Sequence, residues 1–402
     1  MSAGSLAARL MRLFALLCLP CAALLASCGG NGSPPDVPQN VEVTPGDGRV
    51  TLTWTQLPGT SYWVFLAPGS TVSFPGSTST EGYRSVLGAS SPQAVINLVN
   101  GTQYALIMAG TVGGSKAGTT SPVLTATPRP AGALWQAGST LGAGDLFAVT
   151  WSGTFFFAAG SGGRLFASSD ALTWAALPSG TSNDLYGVAF VNNRYVAVGA
   201  NGTVVSSTDG VTWSAQNSGL TDHLYAVAPA GTGFVAVGAN GALLTSADGV
   251  NWGRATSGTS QALYAVVTSG GRVVATGAGG TIVTSADIVT WQPVSSTVTA
   301  DLHGVAAGAG AFVAVGTGGV IVNSPDGLSW VRVGASTNDA LTGVAFGSQF
   351  AAVGAGGTAV TSLDGINWSV ATSGSRGDMN GLTFGAGRFV TVGAAGANMT
   401  AQ

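Results

Sequence analysis

Acid–base and metal chemistry in this chain can come from very few side chains. Residues 132–402 hold twelve carboxylates, all Asp, and no Glu occurs after Glu81. His223 and His303 are the only histidines, and the three cysteines, Cys18, Cys21 and Cys28, all stand at the amino terminus. A disulfide framework or a Cys-based metal cluster downstream is thereby excluded. The histidines stand two repeats apart with no His beside either, so joint ligation needs a cross-channel reach and carboxylate help. Ser-His-Asp catalysis lacks a nucleophile-elbow context. Two carboxylates flanking one bond could cleave a glycoside. Aspartates repeated at equivalent positions could supply such a pair, but equivalence gives their pKa values no reason to diverge. The expectation is a non-enzyme without cofactor or metal.

The aspartates form two sets of six, and their spacing shows what positions them. Asp170, Asp209, Asp248, Asp287, Asp326 and Asp364 each follow a Ser by two residues and precede a Trp by four. Those tryptophans, Trp174, Trp213, Trp252, Trp291, Trp330 and Trp368, recur at a constant interval that shortens by one only at the last step. A period of about 40 residues, with several short strands in each unit, predicts propeller blades. In the turn, Asp can accept amide hydrogen bonds, the following Gly permits a left-handed position, and Trp packs between blades. Ala171 and Ile288 replace that Gly, so those two turns are expected to differ in geometry. The six box aspartates are expected to be structural.

One repeat reads as an inner strand Leu185–Phe190, a second strand Tyr195–Gly199 and a third over Gly202–Ser206. The Gly ending the second strand recurs seven times, at Gly160, Gly199, Gly238, Gly277, Gly316, Gly354 and Gly393. Seven second strands predict seven blades over residues 132–402. Only six Asp-to-Trp turns exist, and Trp135 stands one full period before Trp174. The strand around Trp135 is therefore expected to complete the last blade and close the ring. Neighbouring blades cover both faces, which accounts for continuous apolar runs such as Phe234–Val237.

The second set of acids marks the innermost strands. One residue after the repeated Leu stand Phe147, Tyr186, Tyr225, Tyr264, His303, Thr342 and Asn380. Just before that Leu (Met379 in the last blade) stand Asp145, Asp184, His223, Ala262, Asp301, Ala340 and Asp378. Asp222 and Asp339 lie one residue further upstream. One residue per blade at equal register makes a ring at one mouth of the channel. Two accounts compete. If both faces of an inner strand are buried, the ring simply packs. Otherwise Phe147, Tyr186, Tyr225, Tyr264 and His303, with Asp145, Asp184, Asp301 and Asp378, form a shallow rim for a cationic or glycan surface of a partner.

The Ser-x-Asp-Gly-x-x-Trp turn resembles the Asp-box, or sialidase-type, repeat, one residue shorter between Asp and Trp. The whole repeat looks closer to photosystem II assembly-factor-like propellers. In both families these turns lie away from the central site. A sialidase also needs an arginine triad, a Tyr–Glu pair and an acid/base Asp. This propeller has seven scattered arginines and no Glu.

Upstream, Val41–Val43 and Val50–Trp54 alternate around a Pro45–Gly46–Asp47–Gly48 turn, a hairpin pattern. Leu98–Leu106 and Ser121–Pro128 add further strand-like patterns. Residues 38–129 resemble a fibronectin type III domain, which implies a core Trp54 and a corner Tyr104. At the amino terminus, Arg9 and Arg12 precede an apolar run Leu13–Leu25 that is short for a membrane span. Leu25–Ala26–Ser27–Cys28 resembles a bacterial lipoprotein signal. This implies a signal peptide over residues 1–27, lipidation at Cys28 and a flexible linker over 28–37. Gly29 after the Cys favours the outer membrane.

Only 7% of residues are charged, the net charge is −3 and Lys116 is the single lysine, so no nucleic-acid footprint exists. The 63 glycines suit tight turns and short strands. The expected fold class is all-β: a seven-bladed β-propeller of four-stranded blades preceded by a fibronectin type III-like β-sandwich. The expected function is a monomeric, lipid-anchored, non-enzymatic binding or assembly scaffold at the bacterial cell envelope, with a protein partner. The alternative is a carbohydrate-binding or glycosidase-like surface protein. Exposed aromatics clustered on one face would favour a glycan, and an extended polar face a protein.

Overall fold

The strand-ending glycines set how each repeat folds. Gly199 has an extended backbone that any residue could adopt. A Cβ there would nevertheless sit 1.9 Å from the Asp184 carbonyl oxygen, and the six equivalent glycines meet the same obstacle at 1.9–2.3 Å. Gly is required for close approach, not for its torsion angles. Beyond it the chain makes one tight turn, Ala200–Gly202, and returns as the third strand.

A computed structural model describes residues 36–73, 83–111, 117–132 and 134–401. Cys28 and the signal-like segment before it lie outside the described residues. All regular elements described are β-strands and single 3-10 turns, and no described helix is long and apolar enough to cross a membrane. The chain divides into two compact units that part between residues 131 and 132.

In the N-terminal unit, strands Glu42–Gly46 and Arg49–Thr53 form a hairpin turning at Asp47–Gly48, and Gln93–Val95 pairs with the second of them. A second sheet runs Arg84–Ala89, Ser61–Pro68, Tyr104–Thr111, Ala117–Thr120, with Leu124–Ala126 also paired to Tyr104–Thr111. Leu52, Trp54, Val64, Tyr104 and Leu106 share one core. The Tyr104 hydroxyl accepts the Val99 amide at 3.1 Å.

The second unit is seven four-stranded antiparallel sheets, consistent with a seven-bladed propeller. The second blade shows the pattern: Leu185–Val191, Arg194–Gly199, Val204–Ser207 and Ser214–Gln216, from the channel outward. Innermost strands touch in cyclic order, and the first, Leu146–Trp151, meets the last, Met379–Gly385. The seventh blade takes its outer strand from the start of the unit. Trp135 pairs with Ala401 and Ala137 with Met399. Core clusters lie between blades: Phe157 of the first packs with Tyr195 and Trp213 of the second. Burial on both faces leaves Gly233–Gly238 buried at every position.

The box turns are built as their residues imply. Asp209 Oδ1 accepts the amides of Val211 and Thr212 at 2.9 and 2.7 Å, Ser207 Oγ accepts that of Gly210 at 2.8 Å, and Trp213 Nε1 donates to Gly210 O at 3.3 Å. The expected departure at Ala171 and Ile288 does not occur. Their φ angles of 59° and 61° match the 69° of Gly210. Left-handed geometry disfavours a branched residue such as Ile, but Asp287 Oδ1 grips the Val289 and Thr290 amides all the same. The hydrogen-bonded turn overrides the local preference of one residue.

Candidate functional site: one mouth of the channel

Antiparallel order fixes what shares an end. The innermost strand starts where the second strand ends in its Gly, so the tight turns and the loops into each blade share one mouth. The box turns, at the far end of the third strand, lie at the other. All six box aspartates are thereby separated from the mouth.

At the mouth every blade carries the same irregularity. Leu185 pairs with Gly199 but Gly187 with Val198, so Tyr186 is an extra residue. The same one-residue slip leaves out Phe147, Tyr225, Tyr264, His303, Thr342 and Asn380. A β-bulge re-aims the side chain it carries. Leu185 and Gly187 are buried, whereas Tyr186 and its six counterparts are all partly exposed. The floor below is tight, because a Cβ on Gly187 would lie 3.1 Å from Ala226 Cα in the next blade. The inner strands of neighbouring blades thus pack closely beneath a dish of partly exposed side chains.

Five of the seven bulged side chains join into an arc. Ring centroids run Phe147–Tyr186 at 5.3 Å, Tyr186–Tyr225 at 5.8 Å, Tyr225–Tyr264 at 5.6 Å and Tyr264–His303 at 5.3 Å. His223, in the acid register, adds a sixth ring 6.2 Å from both Tyr186 and Tyr225. Thr342 and Asn380 complete the circle by bonding backbone, Thr342 to Met379 O and Asn380 Nδ2 to Leu146 O at 2.9 Å.

The acids are tied to the frame. Asp184 Oδ1 accepts the Gly162 amide of the preceding blade's turn at 2.7 Å, and Asp301 accepts that of Gly279 at 2.7 Å. Asp378 holds Gly356 at 2.8 Å, and Asp145 holds Ala395 across the first–last junction at 2.9 Å. His223 Nδ1 takes the Asn201 amide at 3.1 Å, in the role of those carboxylates. Each of these residues also accepts, through its own carbonyl, the turn amide of its own blade, as Asp184 does from Ala200 at 2.9 Å. Asp222 and Asp339 bond within their own blades, to Asn240 Nδ2 at 2.9 Å and Thr358 Oγ1 at 2.6 Å. Sequence reasoning missed this latching and the place of His223 in the arc. The only signal for His223 was that it fills a register otherwise held by Asp.

The mouth is acidic. Six carboxylates and one arginine, Arg376, stand in the seven loops leading into the innermost strands. Arg164, just past the first blade's turn, gives its guanidinium to the Leu141 carbonyl. Arg194, Arg272 and Arg388 open second strands at the opposite end, and Arg254 and Arg332 stand on outermost strands of the third and fifth blades. Burial, then the charge of Asp184, pushes the Tyr186 phenol above its ordinary pKa, and burial, then Asp301, does the same to Tyr264. Burial lowers the His303 imidazole against the pull of Asp301, and its Nε2 lies 3.0 Å from Thr317 Oγ1. These shifts favour the neutral forms of Tyr186, Tyr264 and His303. Among the described residues no three His, Cys, Asp or Glu side chains converge as metal ligands would. Open grooves of about 510, 590 and 560 Å³ flank outer strands of several blades, but they follow from the shape of the repeat and gather no comparable set of groups.

No protein-family profile matches the chain, and no curated protein matches its sequence. Solved structures do. One described as Ycf48 bound to D1 peptide superposes with a TM-score of 0.57 at 17% identity, over 66% of this chain and 94% of that one. The WD40 propeller domain of Doa1 gives 0.55 at 12%, over 67% and 97%. The propeller domain of Cps50 (Swd1) from Myceliophteria thermophila gives 0.51 at 11%, over 67% and 99%. The C-terminal unit is a β-propeller. At these identities the likeness is one of fold.

Proposed function

We propose that the chain is a non-enzymatic scaffold of the bacterial cell envelope, anchored by lipid at Cys28, whose propeller mouth holds a protein partner. The N-terminal unit serves as a fibronectin type III-like spacer. Its two sheets around one core and the Tyr104–Val99 bond support that assignment. The observation that carries the binding reading is the bulge repeated in every blade, which turns five neighbouring rings outward beside anchored carboxylates. Aromatic side chains at a mouth of this kind are where binding energy concentrates. The likeness to a propeller structure with a bound peptide adds support at the level of fold.

The same clustering of aromatics favours a second reading, a carbohydrate-binding surface protein. Against it, the rings along Phe147, Tyr186, Tyr225 and Tyr264 are tilted 47–57° to one another. They offer edges and niches suited to side chains more than a coplanar platform for a sugar face.

The test is capture of partners from envelope membranes by the chain from Gly29, compared with a variant carrying Tyr186→Ser, Tyr225→Ser and Tyr264→Ser. Lost capture with retained melting identifies the mouth as the site. Capture lost only in step with melting assigns the rings to packing. For the anchor, Cys28→Ser should move the protein from the membrane to the soluble fraction. Persistence in membranes without acyl mass would refute it. Stable anchoring needs more than one acyl chain.

A further inference from the structure

We propose that the arc receives a lysine or arginine side chain of the partner, laid against the rings of Tyr186, Tyr225 and Tyr264, in the field of the two carboxylates, Asp184 and Asp301, that stand at the arc's two ends. This rests on the mouth being the binding face and adds the chemistry of what it binds.

Charge complementarity carries the choice of occupant. Around the dish, the loops into the blades hold six carboxylates against Arg376 alone. Among the described residues, Asp184 and Asp301 bond backbone amides and have no cationic partner. An amide bond fixes each carboxylate without neutralising it, so the negative charge is preorganised. The ring faces act in the same sense, since a π-face attracts a cation, more strongly once both are partly desolvated. Tyr186 donates its hydroxyl to Asp184 Oδ2 at 3.4 Å, which leaves its ring richer in electrons. Both flanking phenols are held neutral well past physiological pH, so their ring faces stay available throughout.

The experiment uses the full-length chain in a nonionic detergent, labelled with fluorotyrosine and read by fluorine NMR. Single Tyr→Phe variants assign the rim resonances. The probes are blocked peptides Gly-Gly-Lys-Gly-Gly and Gly-Gly-Arg-Gly-Gly, the same peptide with norleucine, and maltotriose. The cationic peptides should shift the rim resonances, and norleucine should not. The pair Asp184→Asn with Asp301→Asn keeps an oxygen for the Gly162 and Gly279 amides, so melting should hold while binding of the lysine peptide weakens about tenfold. Equal shifts from norleucine or from maltotriose overturn the proposal, as does silence of the rim toward both cationic peptides. Failure here is separable from failure of the mouth. Capture lost in the triple Tyr variant but kept in the double Asn variant leaves the mouth as the binding face and removes only the cationic occupant. Capture kept by the triple Tyr variant removes both.

Discussion

At the scale of single residues, the two sets of aspartates do related work by different routes. A box Asp closes a turn within its own blade, whereas Asp145, Asp184, Asp301 and Asp378 at the mouth each clasp the turn of a neighbour. Asp209→Ala removes a charged acceptor of two amides. It should lower stability by about 1.5–3 kcal/mol, the range of a hydrogen bond to a charged group, while partner capture persists wherever the fold does. Urea unfolding and capture measured on the same protein check this, and lost capture with unchanged unfolding would move the boxes from structure to function. The boxes also set acid stability. Backbone amides hold Asp287 down to about 2, and Asp248 and Asp364 lower still. At Asp170 and Asp209 burial pushes upward but the hydrogen bonds outweigh it. Folded carboxyls thus bind fewer protons than unfolded ones, whose pKa is about 3.9. Their contribution is complete above that value and is lost as pH falls below about 4. Melting temperature against pH should show that acid limb, and Asp209→Ala should shrink it.

Among the elements, the tight turn after the second strand governs both stability and the mouth. Gly199→Ala would drive a methyl group to 1.9 Å from the Asp184 carbonyl oxygen. The backbone must move at the very residue that latches the preceding blade, so the cost should reach or exceed the upper end of overpacking penalties, about 3 kcal/mol. A melting temperature within error of the parent would show that the turn yields easily. Legibility also divides at this scale. Blade count and the closing role of Trp135 follow from spacing, because a fixed period and a displaced Trp are properties of the letters themselves. The bulge at Tyr186 is not written there. It is a slip in pairing between two strands, and Leu185–Tyr186–Gly187 reads as ordinary alternation. The latch from Asp184 to Gly162 joins residues of different repeats, invisible until the blades are set side by side. Ile288 misled for the converse reason: its own preference loses to a carboxylate that holds the turn. In the N-terminal unit the central strand Ser61–Pro68 is not legible in the sequence, since its apolar run lacks the alternation that marks a half-buried strand.

For the molecule as a whole, closure depends on the short strand Trp135–Ala137. Trp135 is 8% exposed and its ring lies 6.4 Å from Phe389. Trp135→Ala should cost about 3–5 kcal/mol, a large part of the margin by which a domain stays folded. Denaturant unfolding checks this, and a loss below about 1 kcal/mol would mean that the ring closes by other contacts. The pairing has a further consequence in time. Its two strands, Trp135–Ala137 and Asn398–Ala401, are the first and last of the unit to be made. However the chain is delivered, Trp135 emerges first and its partner strand last, so the ring cannot close until the whole unit is out. During that interval the blades already formed are an open crescent with an apolar flank at each tip, so the nascent chain is most exposed to proteases and to other crescents just before it becomes a ring.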